Sequence, residues 1–450
     1  MFHLRLLRPL VVSSLARLAL ADYQEVSNDD QCNCYFTNGS SSHYFTTHKF
    51  FDFRDKADIA GVPALITDAT ESSQAGVTSE YFSSQEWTDY WSLQSWNNSA
   101  ALKSNDSDAS VLMVHSLNNV YVEENGDPGA DSKTFLTLRT ARLQDYQSSC
   151  EFESTIHDYH FLSIRMYART QGAPGAVTAM FTYKDPSGDA KLSTIQESDL
   201  EIRTVDPPDH IQYTNQPSYS SQGLDVQEAT RNVTIPNKRD WTNWAAYRMD
   251  WSPDDTTWYI NGDQVASISF QTPRDPSMVL FNAWSDGGSW TGNMSVATEA
   301  RIQIQWIELV YNTTGSSSQK RDSTGFFAKR DDGCANVCSI DETTKTGIAV
   351  LIQGGASRML DQSGVFGGVC FWVSLLAMAL AFCSPAEVNK SKSKKRPQFH
   401  RVLQLFPPET QKSVYYGSKE ACPKEAIHEE PRGPIRGLSK LRTQREDATA

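Results

Sequence analysis

Short runs of alternating apolar and polar residues, broken by turn residues, recur from about Tyr44 to Asn312. Examples are TFLTLRTARL (134–143), HFLSIRMYAR (160–169), AVTAMFTYK (176–184) and ARIQIQWIELVY (300–311). A period of two places successive side chains on opposite faces of a strand, and long helical periodicity is scarce in this region. The pattern predicts an antiparallel β-sandwich, which buries one face of each sheet and leaves another face free for binding.

A hairpin is predicted within the run TTWYINGDQVASISF (256–270). It contains Asn261-Gly262 between two strand-like segments. Asn-Gly between alternating segments is a strong short-range hairpin signal, because both residues tolerate the positive φ of a tight turn.

The N-terminus carries the features of an export signal. Residues 1–21, MFHLRLLRPLVVSSLARLALA, combine early arginines with an apolar stretch and end in Ala-Leu-Ala, although Arg17 is atypical of such a stretch. We interpret residues 1–21 as a signal peptide and residues 22–43 as a lead-in to the domain. Six Asn-x-Ser/Thr sequons between residues 22 and 364 fit a secreted glycoprotein, at Asn38, Asn97, Asn105, Asn232, Asn293 and Asn312.

Charge is distributed unevenly along the 450 residues. The formal net charge is -13, yet residues 383–450 carry more Lys and Arg than Asp and Glu. The rest of the chain is therefore more acidic than the total indicates. Because phosphate binding requires a basic surface, an acidic domain argues against nucleic acid as a partner.

Five of the eight cysteines lie in the part expected to be exported: Cys32, Cys34, Cys150, Cys334 and Cys338. An odd number leaves at least one unpaired or paired with another chain. The Cys-x-Cys and Cys-x-x-x-Cys pairs lack partner spacing for a zinc site, so we favour disulfides, whose pairing the sequence leaves open.

The composition changes after Asn312. Residues 313–364 form a Ser/Gly-rich linker and a Cys-containing segment, followed by VFGGVCFWVSLLAMALAF (365–382), which has no charged residue. Eighteen such residues can just cross a bilayer, and KSKSKKR (390–396) favours a cytoplasmic far side. We predict a type I membrane protein with an extracellular domain and a disordered basic tail (383–450); a lipid-anchor signal is the alternative.

Three carboxylates occupy alternate positions in STIQESDLEIRT (193–204): Glu197, Asp199 and Glu201. In a strand they share one face, where like charges repel unless a function, a counter-ion or a shared proton offsets the repulsion. Retaining glycoside hydrolysis needs a carboxylate nucleophile and a carboxylic acid about 5–5.5 Å apart. Spacing alone leaves open catalysis, a calcium site and a solvated edge.

The segment ESDLE resembles the Glu-x-Asp-x-Glu signature of glycoside hydrolase family 16. Three further segments resemble this family in the expected order: SIRMYARTQGAPGAVTAMFTY (163–183), NWAAYRMDWSPDDTTWYINGDQV (243–265) and MVLFNAWSDGGSWTGN (278–293). The resemblance covers residues 44–312. It implies a β-jelly-roll sandwich (concanavalin A-like) that acts on β-glucans and related polysaccharides. The N-terminal region and the anchored C-terminus resemble secreted fungal members.

By position, the resemblance implies that Glu197 is the nucleophile, Glu201 the general acid/base and Asp199 an assisting carboxylate. Trp284 and Trp290 are candidates for stacking on sugar rings, with core packing as the alternative. Ser198 departs from the family, which usually has an aliphatic residue facing the inter-sheet core at this position.

The sequence therefore predicts a retaining endo-β-glycosidase at the cell surface or in the cell wall, with a polysaccharide substrate. We expect no cofactor and no metal; His157 and His160 would face opposite sides of a strand. Hydrolysis of the endo-1,3(4)-β-glucanase type results if water is the acceptor, and transglycosylation results if a sugar is the acceptor. A non-catalytic carbohydrate-binding surface protein is a further alternative.

Overall fold

A computed structural model of the chain describes residues 23–105, 107–184, 195–220, 222, 224–314 and 334–353. The predicted signal peptide, the apolar segment 365–382 and the basic tail lie outside these residues. Across the ranges that are described, no helix is long and apolar enough to span a membrane.

Strands dominate the described residues, and the α-helices among them are short. The strands are β1 (Gln24–Glu25), β2 (Cys34–Phe36), β3 (Tyr44–Phe45), β4 (Thr47–Asp52), β5 (Trp91–Leu93), β6 (Met113–His115), β7 (Val120–Glu124), β8 (Thr134–Arg142), β9 (Gln147–Ser154), β10 (Tyr159–Gly172), β11 (Val177–Lys184), β12 (Gln196–Arg203), β13 (His210–Gln216), β14 (Thr230–Thr234), β15 (Ala245–Trp251), β16 (Thr256–Ile260), β17 (Asp263–Ile268), β18 (Met278–Trp284), β19 (Thr298–Thr313), β20 (Val337–Ser339) and β21 (Val350–Gln353). The α-helices are α1 (Ala69–Ser73) and α2 (Gln85–Thr88).

The large sheet folds over on itself into two layers. The front sheet has the strand order β14-β13-β12-β11-β18-β9-β5, and the back sheet has the order β7-β8-β19-β10-β15-β16-β17, with β4 also paired to β19. A short pairing of β8 with β9 joins the two sheets. The predicted all-β sandwich is confirmed.

The main core lies between the two sheets. Leu200 and Ile202 of the front sheet belong to one buried cluster with Ile164 and Met166 of the back sheet. Burying each such side chain stabilises the fold by about 1.5–3 kcal/mol. Alternation along β12 thus turns its apolar residues inward and its carboxylates to the opposite face of the front sheet.

Ser198 lies on the core side of β12 and is fully buried. Its hydroxyl donates a hydrogen bond to Asn215 Oδ1 (2.7 Å) and lies 3.0 Å from the hydroxyl of Thr256 in the back sheet. One hydrogen bond within the front sheet and one contact between the two sheets therefore satisfy this buried hydroxyl group.

The predicted hairpin is present between β16 and β17. Asn261 and Gly262 have positive φ angles of 51° and 87°, as a tight two-residue turn requires. The side-chain oxygen of Asn261 also accepts a hydrogen bond from the backbone N–H of Ala246, at 2.9 Å. This prediction is confirmed.

A second, small sheet combines the two ends of the described chain, in the order β1-β21-β20-β2-β3. Two disulfides hold it together: Cys32–Cys338, with a Cα–Cα distance of 5.8 Å, and Cys34–Cys334, with 5.4 Å. Cys150 is a buried free thiol. The expected disulfides and unpaired cysteine are confirmed, and the structure supplies the pairing that the sequence left open.

The small sheet packs on the outward face of the back sheet. Its Tyr35 and Ile340 form an apolar cluster with Val310 of β19. Beside this cluster, Asp341 lies 2.5 Å from the Arg165 guanidinium of β10. The contact combines buried apolar area with an ion pair.

Candidate active site

Glu197, Asp199 and Glu201 lie near the middle of the front sheet, on the face that points away from the core. They are 0%, 0% and 3% exposed. Across β12 they face Tyr183, Phe181 and Ala179 of β11, and on the other side Gln216, Thr214 and Gln212 of β13. The predicted sharing of one strand face by the three acids is confirmed, and this surface is called the acid-bearing face below.

The three carboxyl groups act on one another electrostatically. Burial, and then the charge of Glu197 and a hydrogen bond shared with it, raise the pKa of Asp199 well above its ordinary value. The amide of Gln216 opposes this by donating a hydrogen bond to Asp199 Oδ2, at 3.3 Å. The raised pKa favours the protonated form of Asp199, which avoids both the cost of burying a charge and the repulsion from Glu197.

Glu201 is favoured in its protonated form, which a general acid requires. Burial and the nearby Asp199 carboxylate raise the pKa of Glu201 well above its ordinary value, while Arg203 acts in the opposite direction. A carboxyl group kept protonated near neutral pH can serve as a general acid.

Trp284 and Trp290 also lie on the acid-bearing side of the front sheet. They are 2% and 8% exposed, and their rings stack with centroids 6.0 Å apart. Both belong to an apolar cluster that includes Phe181 and Leu280. The structure thus brings the two candidates near the acids in a packed cluster, and their stacking on sugar remains a prediction.

The sequence did not single out Glu151 and Asn282. Strand pairing places four residues in one row across neighbouring strands, in the order Glu201, Ala179, Asn282 and Glu151. Glu151 is buried and accepts hydrogen bonds from Trp96 Nε1 (3.3 Å) and Asn282 Nδ2 (3.4 Å). The glutamates at alternate positions of β9 are visible in the sequence and could have marked this strand as part of the site. The sequence did not show that β9 pairs with β18, which places Glu151 beside Asn282.

No metal site is formed by the described part of the chain, where no three His, Cys, Asp or Glu side chains come together as ligands. His160 instead contacts the carbonyl oxygen of Arg274 at 3.1 Å and stacks on Phe161.

A strand with carboxylates at alternate positions, one of them kept protonated by burial, has the chemistry of a glycoside hydrolase. Residues 111–308 match the family described as "Glycosyl hydrolases family 16". This match confirms the resemblance found in the sequence, and the protein is a glycoside hydrolase.

The chain is also similar to individual known proteins. The chain is 23% identical over 184 residues to a "Beta-glucanase" of Paenibacillus polymyxa, covering 40% of this chain and 72% of that protein. It is 30% identical over 116 residues to "Crh-like protein UTR2" of Candida albicans, covering 23% of each. Among solved structures, a prokaryotic β-1,3-1,4-glucanase (lichenase) from a mouse hindgut metagenome is similar with a TM-score of 0.38 and 16% identity, covering 59% of this chain and 99% of that one.

Proposed function

We propose that the protein is a retaining endo-β-glycosidase that acts on β-glucan-type polysaccharide, on a β-jelly-roll frame of the concanavalin A type. The observation that carries this proposal is the set of three buried carboxyl groups on one strand face. Among them, burial and a neighbouring charge favour the protonated form of Glu201. Relatives named as β-glucanases support the substrate class.

In the first step, a Glu197 carboxylate oxygen attacks the anomeric carbon while the bond to the leaving oxygen breaks. Glu201 gives its proton to that oxygen, and the sugar remains bound to Glu197 as an ester. In the second step, Glu201 takes a proton from the acceptor, which attacks the anomeric carbon and releases Glu197. The neighbouring Asp199 carboxylate favours the protonated state of Glu201.

Transglycosylation is the second candidate, because only the acceptor differs. The low exposure of the three acids and the apolar cluster beside them restrict water near the ester. An acceptor sugar that displaces the remaining water would then compete well in the second step.

The test is turnover of laminarin, lichenan and chitin oligosaccharides by the exported protein, with and without labelled acceptor sugars. We expect Glu197→Gln to lower turnover by at least about a thousandfold. Glu228→Gln, at an exposed position, is the matched control and should be unchanged. Binding without turnover by the unaltered protein would favour a carbohydrate-binding surface protein instead, and turnover unaffected by Glu197→Gln would contradict the assignment of the nucleophile.

We also propose that the protein is exported and held at the cell surface or wall by residues 365–382, as a membrane span or a lipid-anchor signal. Two disulfides and exposed sequon asparagines at Asn38, Asn105, Asn232 and Asn293 support export. Enzymatic deglycosylation should lower the apparent mass of the secreted protein, and retention of an unglycosylated protein in the cytosol would contradict export.

A further inference from the structure

Strand β14 carries a glycosylation sequon at the edge of the front sheet. Among the described strands it pairs only with β13, so it forms one edge of that sheet. Its residues Asn232, Val233 and Thr234 form the Asn-x-Thr sequence that is modified in the secretory pathway. Asn232 and Thr234 are exposed, whereas Val233 packs against the inter-sheet core. The sequon is therefore accessible in the folded protein.

The side chain of Asn232 points to the acid-bearing face. Successive residues of a strand alternate between faces, so the inward position of Val233 turns Asn232 away from the core. Two residues earlier, the hydroxyl of Thr230 lies 3.3 Å from the hydroxyl of Thr214, which is opposite Asp199 in the pairing of β12 with β13. Thr230 and Asn232 thus share the face on which the three acids stand.

Strand pairing also places Asn232 in the same row across neighbouring strands as Glu201. Glu201 is opposite Gln212 of β13, and Gln212 is opposite Asn232 of β14. Neighbouring strands are about 4.8 Å apart, so the Cα atoms of Asn232 and Glu201 are on the order of 10 Å apart. Exposure rises along this row, from the buried Glu201 through the partly exposed Gln212 to the exposed Asn232. Along the row, the acid-bearing face opens to solvent towards β14.

We propose that Asn232 carries an N-linked glycan that stands on the acid-bearing face and limits the approach of long polysaccharide chains to Glu201 from the β14 edge. The role of the glycan rests on the proposed function. In the transfer, Asn232 Nδ2 forms a bond to the anomeric carbon of a lipid-diphosphate oligosaccharide, the bond from that carbon to the diphosphate oxygen breaks, and the amide loses one proton. A glycan of several sugar rings is bulky enough to reach across two strands. A polymer that extends past Glu201 over β13 must bend around it, whereas a short oligosaccharide need not.

The sequon at Asn38 offers a glycan on the opposite side of the sandwich. The backbone carbonyl and side-chain oxygens of Asn38 accept hydrogen bonds from the Arg248 guanidinium of β15, at 2.8 and 3.1 Å. Arg248 lies on the outward face of the back sheet, because its neighbours Tyr247 and Met249 belong to the inter-sheet core. Ser40→Ala removes this sequon, leaves Asn38 in place and is the matched control.

Peptide mapping of the exported protein tests the modification. Trypsin cleaves after Arg231 and Lys238, so residues 232–238 form one peptide, which we expect to carry a glycan. The peptide should be unmodified in Asn232→Gln and Thr234→Ala, and modified in Thr234→Ser, which keeps the sequon. An unmodified peptide from the unaltered protein would overturn the proposal.

Access to the acids is tested by turnover of a polymer relative to turnover of a short soluble oligosaccharide. Asn232→Gln and Thr234→Ala should each raise kcat/KM for laminarin or lichenan about threefold or more and leave kcat/KM for the oligosaccharide unchanged. Thr234→Ser and Ser40→Ala should change neither value. An unchanged ratio of the two values in Asn232→Gln and Thr234→Ala would overturn the limit on access.

A binding measurement separates this proposal from the function on which it rests. In a Glu197→Gln background, electrophoresis through native gels that contain laminarin or lichenan reports polymer binding without turnover. Addition of Asn232→Gln or Thr234→Ala should strengthen retardation, and equal retardation would overturn the limit on access. Absence of turnover by the unaltered protein would overturn the enzyme function, and the difference in retardation would still decide whether the glycan limits access.

Discussion

Burial and the neighbouring Glu197 raise the pKa of Asp199. The charge of Asp199 in turn raises the pKa of Glu201. Asp199→Asn keeps the shape but removes this charge, so the pKa of Glu201 should fall. We expect the alkaline limb of the kcat/KM profile to move to lower pH, by on the order of one unit. The measurement is kcat/KM against pH for both proteins; Asp254→Asn, at an exposed position, is the control and should leave the profile in place.

We expect Glu201 to lower the free energy of unfolding at neutral pH. Its pKa is raised above the ordinary value of 4.5, so the stabilising proton is fully bound in both states below about pH 4.5. As pH rises from there through the raised pKa, the unfolded chain releases the proton first and stability is lost. Glu201→Gln should therefore raise the free energy of unfolding by about 1 kcal/mol at pH 8 and change it little at pH 4. Urea unfolding at both pH values measures this; an equal change at both would exclude titration as the cause.

The placement of the three acids follows from residue alternation, so the sequence sufficed to predict that they share one face. The contacts of Glu151 with Trp96 and Asn282 depend on which strands are neighbours across the sheet. Local periodicity does not encode that pairing, and these residues were therefore missed.

At the scale of elements, the β16–β17 hairpin depends on backbone conformation. Gly262 has φ 87° and nothing within 4 Å of an added Cβ, so Gly262→Ala meets backbone strain without a steric clash. We expect a loss of about 1–2 kcal/mol in the free energy of unfolding. Urea unfolding measures the loss, and Gly76→Ala is the matched control because its added Cβ also meets nothing and its φ is not positive. Equal effects at both sites would show that the turn needs no glycine.

Strands and hairpins of the sandwich were predictable because alternation and Asn-Gly are local signals. The small sheet was not, because it joins segments whose cysteines are 306 and 300 residues apart. We predicted one segment as a lead-in and the other as a linker, because neither is long enough to show the alternation of apolar and polar residues that marks a strand.

For the whole molecule, His48 links the small sheet region to the sandwich. Its ring nitrogens lie 2.9 Å from Asp29 Oδ1 and 3.0 Å from Glu308 Oε1, and its ring packs against Tyr35. Burial lowers the pKa of His48, but the hydrogen bonds and charges of both carboxylates outweigh it and raise the pKa to about 9.

The stability that charged His48 contributes is full below its ordinary pKa of 6.5 and is lost as pH rises through about 9. We expect His48→Gln to cost about 1–3 kcal/mol at pH 6 and clearly less at pH 10. The measurement is the difference in free energy of unfolding from the unaltered protein at several pH values. His157→Gln, at an exposed position, is the control, and a pH-independent cost at His48 would contradict the charged pairing.

The two disulfides also determine how the molecule would bear a mechanical load. Tension applied beyond Gln353 enters through β21 and divides between two covalent routes, one along the chain to β19 and one across the disulfides to β4. These two strands are antiparallel neighbours, with Thr47 opposite Tyr311 at the loaded end. Both would be pulled from the same end in the same direction, so tension would be shared between them and would not peel one strand from the other.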